Sequence, residues 1–273
     1  MEKKLNAFFV FALTFCALFF SLVAACMLLG AYNSRFGGFK AAETEEKEIN
    51  VISESVILGE TEDLGTEYID KIIFLGESTT YGLQSYGVLS DGIATNQVWT
   101  GATVKNGEVV SSGTLSLSPS ISQTKIFFPD TKSALTVSEA LKIKKPEIMI
   151  ITLGLNNGAS YYDEQEFKSC YRSLLDSVKS ADVETDVILQ SIFPVAKSCK
   201  IKAYTPEKIK KCNEWIYDLA KEYDLKYLNT AEALCDEDGY LFDSYENGGD
   251  GIHLNRDGLI AVLEYIRKHG AVK

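Results

Sequence analysis

Lys71-Ile72-Ile73-Phe74-Leu75, running straight into Gly76-Glu77-Ser78-Thr79-Thr80, is the stretch on which the fold class turns. A short, unbroken apolar run suits a strand buried on both faces of a parallel sheet, and the small and hydroxyl residues after it suit a turn into a helix. The pattern recurs. Glu147–Leu153 (EIMIITL), Asp186–Gln190 (DVILQ) and Leu225–Leu228 (LKYL) are further candidate strands, and Pro146 ends a helix predicted over Val137–Lys144. Apolar residues at helical spacing fill the gaps between them. Phe167, Cys170, Tyr171, Leu174, Leu175 and Val178 follow Asp163, and Ile209, Cys212, Ile216, Leu219 and Tyr223 follow Thr205-Pro206. Leu259, Val262, Leu263 and Ile266 follow Asn255. Each stripe opens on a capping residue, one of them with proline at the first helical position. Strands alternating with helices predict an α/β domain whose central parallel sheet is covered on both faces.

Residues 86–135 interrupt the alternation. They are rich in Ser, Thr and Gly, and Lys105-Asn106-Gly107 carries a hairpin signal, so a β-rich insertion lying over the sheet is expected there. The domain is taken as residues 68–273. Residues 31–67 read as a linker, first Gly-containing, then charged, with Val56-Ile57-Leu58-Gly59 as a marginal strand.

The N-terminus has a different character. No charge occurs from Leu5 to Ser34, Lys3 and Lys4 precede this run, and Glu43, Glu45, Glu46 and Glu48 follow it. About 20 apolar residues suffice to cross a bilayer, and the charge asymmetry keeps the N-terminus cytoplasmic. Residues 1–30 are therefore expected to anchor the chain in the membrane, with everything after about residue 31 outside the cytoplasm. Val23-Ala24-Ala25-Cys26 offers the alternative of a lipoprotein lipidated at Cys26, but Met27-Leu28-Leu29 continues the apolar run and suits a spanning helix better.

The formal charge of −11 argues against a nucleic-acid partner, since phosphates would be repelled. Two histidines in the whole chain leave no metal-ligand cluster, and no cofactor motif stands out. Of the cysteines, Cys16 and Cys26 fall in the apolar run. Cys170 and Cys212 lie on core stripes and read as buried thiols, so a disulfide framework with Cys199 and Cys235 is not expected.

Three segments carry candidate chemistry. Gly76-Glu77-Ser78 follows the first strand, Gly154-Leu155-Asn156-Asn157-Gly158 follows the second, and Asp250-Gly251-Ile252-His253 precedes the last helix. Ligands of open α/β sheets bind beyond the carboxyl ends of the strands, where the first two segments converge. A serine at a strand-to-helix turn presents its hydroxyl there, but needs a base to become nucleophilic. Asp250 and His253, three residues apart, can form that base and its orienting acid. Asn156 can offer a side-chain N–H to an oxyanion. His269, in Arg267-Lys268-His269-Gly270, has no acid at matching spacing and reads as a helix-end cation. Taken singly, Ser78 could be only a helix cap, and Asp250 and Asn156 only turn formers. Trp99, Tyr81 and Gly82 are either pocket lining or ordinary packing.

Taken in order, GESTT resembles the GDS block of SGNH/GDSL hydrolases, GLNN resembles their GxND block, and DGIH matches their DxxH block. The resemblance spans roughly residues 71–268. It implies a flavodoxin-like three-layer α/β/α fold and ester hydrolysis through an acyl-enzyme. It further implies Ser78 as nucleophile, His253 as base, Asp250 as its orienting acid and Asn156 as an oxyanion donor. Glu77 and Asn157 replace the family's aspartates, and altered supporting contacts with retained chemistry are expected. The family's oxyanion glycine has Gly101 and Gly113 as candidates. The expected activity is removal of a small O-acyl group from a carbohydrate or envelope glycan. An O-acyltransferase using the same triad and an inactive binding module on the same fold are the alternatives.

Overall fold

The computed structural model describes residues 56–271 apart from 106, 107, 129 and 132. The membrane anchor or lipid attachment expected at the N-terminus, and the linker up to residue 55, lie outside the described residues. No helix among the described residues is long and apolar enough to cross a membrane.

The core is a five-stranded sheet of β1 (Ile72–Gly76), β2 (Val98–Trp99), β7 (Ile148–Thr152), β8 (Asp186–Gln190) and β9 (Lys226–Leu228). Its order is β2-β1-β7-β8-β9, with every pairing parallel. All five residues of β7 are buried, as its unbroken apolar run requires. Alternate side chains serve opposite faces: Met149 and Ile151 join one apolar cluster, Ile148 and Ile150 the other. Helices α3 (Val137–Lys144), α4 (Glu164–Lys179) and α5 (Pro206–Glu222) cover the first face. Helices α1 (Gly65–Ile69), α2 (Ser78–Ser85) and α6 (Arg256–Lys268) cover the second. The result is a three-layer α/β/α arrangement.

Capping chemistry sets the helix starts. Thr136 with Glu139, and Asp163 with Glu166, form reciprocal capping boxes on α3 and α4. Thr205 caps α5, with Pro206 as its first residue, and Asn255 caps α6. Phe167 of α4 is fully buried and packs on Tyr171 and Trp215 at ring separations of 5.8 and 5.3 Å.

Two sequence expectations are corrected. The stretch 86–135 is not wholly an insertion, because Val98 and Trp99 pair with Phe74 and Leu75 as the edge strand of the main sheet. Two residues among polar neighbours have no periodicity, which is why β2 is not visible in the sequence. Elsewhere the stretch holds two antiparallel pairs, β3 (Ala102–Lys105) with β4 (Glu108–Ser112), and β5 (Lys125–Phe128) with β6 (Ser133–Thr136). Residues 57–67, read as linker with a marginal strand at 56–59, belong to the folded domain. Ile57 bridges Tyr227 in parallel, Leu58 is buried, and α1 packs beneath the sheet with Tyr68 and Ile69 inside.

Candidate active site

The order β2-β1-β7 means that the chain reverses its direction of travel at the β1/β7 junction. Helix α2 leaves β1 toward one face, whereas α4, after β7, packs on the other. The crevice opened at such a switch point is where open α/β sheets bind ligands. Ser78 is the first residue of α2 and sits at this crevice, half-buried.

Glu77, just before it, is 1% exposed and spans the crevice: its carboxylate accepts the N–H of Leu155 at 2.9 Å and of Asn156 at 2.7 Å. Burial pushes its pKa up to about 7, even though these N–H bonds favour the ionised form. The sequence reading gave this position no more than altered supporting contacts. It is in fact the strut between the Ser78 turn and the Asn156 loop, and its signal in the sequence was an acid placed between a buried strand and a helix start.

Ser78, His253 and Asp250 come together. His253 Nε2 lies 2.9 Å from Ser78 Oγ, and His253 Nδ1 lies 2.6 Å from Asp250 Oδ2. The other Asp250 oxygen accepts the N–H of Ile252 at 2.8 Å and of His253 at 3.0 Å. Partial burial raises the Asp250 pKa, but the bonds from His253 and Ile252 outweigh this and hold it below the usual carboxylate range. An ionised Asp250 can only accept from Nδ1, which places the imidazole proton there and leaves Nε2 to accept from the Ser78 hydroxyl.

The loop carrying Asp250 is organised by a residue the sequence reading missed. Glu246 accepts the N–H of Gly248 at 3.0 Å, Gly249 at 3.1 Å and Gly251 at 2.9 Å. Asn255 donates from its side chain to the carbonyls of Ser244 and Glu246, and Ala196 N–H donates to Gly251 O at 2.8 Å. Gly251 has φ +73, and a β-carbon there would collide with the backbone of Cys199, so only glycine fits. An acid beside Asn247-Gly248-Gly249 could have signalled this role, since a glycine-rich turn leaves N–H groups needing an acceptor.

Asn156 is tied to the Ser78 turn through its backbone bond to Glu77. Its side-chain nitrogen lies 3.4 Å from both Thr114 Oγ1 and Leu115 O, in the segment after β4. Asn157, at φ +65, donates from its side chain to Leu117 O at 3.1 Å. Gly101, one of two candidate oxyanion glycines, is buried at the carboxyl end of β2, on the same rim. Gly113, the other, donates its N–H to Gly101 O and so has no N–H left for an oxyanion.

Trp99 is core rather than pocket lining. It is 1% exposed and packs edge-on against Phe128 at 5.5 Å. Tyr81 and Gly82 do line the cleft beside Ser78, together with Ser85, Tyr86, Asn247 and His253, around a volume of about 190 Å³. His269 sits at the end of α6, where its Nδ1–H donates to Tyr265 O at 2.9 Å and its ring stacks on Tyr265. Cys170, Cys199, Cys212 and Cys235 are all free thiols. Among the described residues no group of His, Cys, Asp and Glu could hold a metal ion.

A serine, an imidazole and a carboxylate in one hydrogen-bonded row, at the switch point of a parallel sheet, define the site of a serine hydrolase. Residues 74–259 match the GDSL-like Lipase/Acylhydrolase family, and the chain belongs to that family of ester-bond hydrolases. A Streptococcus pneumonia structure provisionally described as a platelet activating factor is similar, with a TM-score of 0.51 and 20% identity over 76% of this chain and 91% of that one. A GDSL-like lipase from Bacteroides thetaiotaomicron VPI-5482 aligns with a TM-score of 0.47 and 19% identity over 71% of this chain and 83% of that one. At such identities the likeness concerns the fold alone. No curated protein matches the chain in sequence.

Proposed function

We propose that this chain is an extracytoplasmic serine esterase that removes a small O-acyl group from a carbohydrate or envelope glycan through an acyl-enzyme on Ser78. The observation that carries this reading is the row Ser78 Oγ, His253 Nε2 and Nδ1, Asp250 Oδ2, with separations of 2.9 and 2.6 Å. In the first step Ser78 Oγ bonds to the ester carbon while its proton passes to His253 Nε2. The imidazolium so formed is stabilised by Asp250. The carbonyl electrons move onto oxygen, where the Ser78 N–H at the start of α2, the Asn156 side chain and the Gly101 N–H are the assigned donors. As the tetrahedral species collapses, the C–O bond to the alcohol breaks and His253 returns the proton to the departing oxygen. Water then repeats the sequence and releases the acid.

Two features favour a small acyl group on a sugar. The cleft is only about 190 Å³, and its rim combines the exposed rings of Tyr81 and Tyr86 with Ser85 and Asn247. Aromatic rings with hydrogen-bonding neighbours suit the faces and hydroxyls of a sugar, whereas a long acyl chain needs a deeper apolar slot. The uncharged run Leu5–Ser34 behind Lys3 and Lys4 supports placement of the domain outside the cytoplasm.

The test is hydrolysis of p-nitrophenyl esters of rising chain length and of acetylated sugars, each with and without a free sugar acceptor. Acetate release favoured over longer chains, and unaffected by acceptor, is the expected result. Preference for long chains would overturn the substrate assignment, and transfer to the acceptor in place of acid release would make the chain an acyltransferase. Protease accessibility of the domain in intact cells tests the topology.

A further inference from the structure

The stretch 113–117, between β4 and the second hairpin, has no role in the triad, yet it touches two of the three assigned oxyanion donors, Gly101 and Asn156. Gly113 N–H is held by Gly101 O. The carbonyl of Thr114 is packed so closely on the Gly101 α-carbon that a side chain there would strike it. Thr114 Oγ1 and Leu115 O both face the Asn156 side-chain nitrogen at 3.4 Å, and Leu117 O accepts from Asn157. Leu115 and Leu117 are themselves anchored, 1% and 0% exposed in the core. A segment fixed by two buried leucines, with its polar atoms turned toward Gly101 and Asn156, can hold one donor at a set distance from the other.

Resting on the esterase reading, we infer that residues 113–117 are a positioning element of the oxyanion hole, with Thr114 aiming the Asn156 amide that Glu77 holds by its backbone. The hydrogen count permits this. Thr114 Oγ1 donates to Leu115 O at 3.1 Å, so these two acceptors lie side by side and can share one Asn156 amide hydrogen. The second hydrogen stays available for the oxyanion. At 3.4 Å the resting bonds are long, so the amide can tilt toward a developing charge at small cost. The support therefore comes from two sides: a buried carboxylate on the Asn156 backbone, and the segment beyond β4 on its side chain.

The experiment is steady-state hydrolysis of p-nitrophenyl acetate by the full chain and its Thr114→Val, Thr114→Ser, Asn156→Ala and Thr114→Val/Asn156→Ala variants. Thr114 is exposed, so its substitution leaves folding intact, and Tm is measured beside kcat for the Asn156 variants. Loss of a whole oxyanion donor lowers kcat by about 10²–10³, and loss of its aim is expected to lower kcat about tenfold. Thr114→Val should do so with KM unchanged, Thr114→Ser should restore the rate, and Thr114→Val should add nothing once Asn156 is alanine. A packing role would instead move KM or Tm and would add to the Asn156→Ala loss. Full kcat in Thr114→Val, or additive losses in the double variant, would overturn the inference and leave the esterase reading standing. Unchanged activity in Ser78→Ala would overturn both.

Discussion

Asp250 grips His253 twice: Oδ2 lies 2.6 Å from the ring Nδ1, and Oδ1 accepts the His253 backbone N–H at 3.0 Å. The carboxylate thereby fixes the imidazole's position in the loop and its tautomer together. Asp250→Asn keeps the shape but can present an N–H to Nδ1, moving the ring proton to Nε2, where it no longer accepts from Ser78. A loss in kcat on the order of 10⁴ is expected, with KM little changed, as measured by steady-state kinetics on p-nitrophenyl acetate.

The same contacts keep the Asp250 carboxylate ionised into acid. Asp250 is held below its ordinary range, so its carboxylate persists as pH falls and is lost only below the usual carboxylate pKa. Its contribution to stability is present above that usual value and disappears as pH drops through the lowered one. Loss of kcat at moderately acid pH should therefore not come from this residue.

Glu77 behaves in the opposite sense. Its folded-state pKa is raised from 4.5 to about 7, so between these values the folded chain holds a proton that the unfolded chain has released. Stability attributable to this group is full below pH 4.5 and declines as pH rises through 7, by on the order of 3 kcal/mol. Glu77→Gln should flatten this part of the pH dependence, checked by denaturant unfolding at pH 5 and pH 8. Activity should fall in the same variant, because an amide can accept from only one of the Leu155 and Asn156 N–H groups.

Glu246 anchors three N–H groups of the Asp250 loop without touching the triad. Glu246→Ala should lower kcat more than it lowers Tm, since the loop is exposed while the core is untouched. Gly251→Ala should act the same way more strongly. A left-handed backbone costs an L-residue about 1–2 kcal/mol, and the added carbon would press on Cys199. Thermal melts beside kinetics separate the two effects.

Thiol chemistry should divide by depth. Cys170 and Cys212 are buried, and burial pushes the Cys212 thiol up to about 11. Neither should react with iodoacetamide in the folded protein, whereas the half-buried Cys199 and Cys235 should react slowly. Mass spectrometry of tryptic peptides reads this directly.

What the sequence revealed, and what it hid, has a physical pattern. Strands β1, β7, β8 and β9 were legible because burial on both faces demands unbroken apolar runs such as IIFL and IMIIT. Helices α4 to α6 were legible because Asp163, Thr205 and Asn255 announce their starts, and α3 because Pro146 follows its end. Ser78, Asn156, Asp250 and His253 stood out because each sits in a short motif at a strand or helix end. Strand β2 was hidden because two residues carry no period. Glu77 and Glu246 were hidden in their roles because their partners are backbone N–H groups, which a sequence does not display. Thr114 was hidden because its contact with Asn156 depends on how the chain after β4 returns to the rim.

The most direct test is labelling with a fluorophosphonate, followed by mass spectrometry of the modified peptide. A single adduct on Ser78 is expected, absent in Ser78→Ala and formed far more slowly in His253→Ala. A folded wild-type protein that stays unlabelled, or one that labels equally well without His253, would contradict the account.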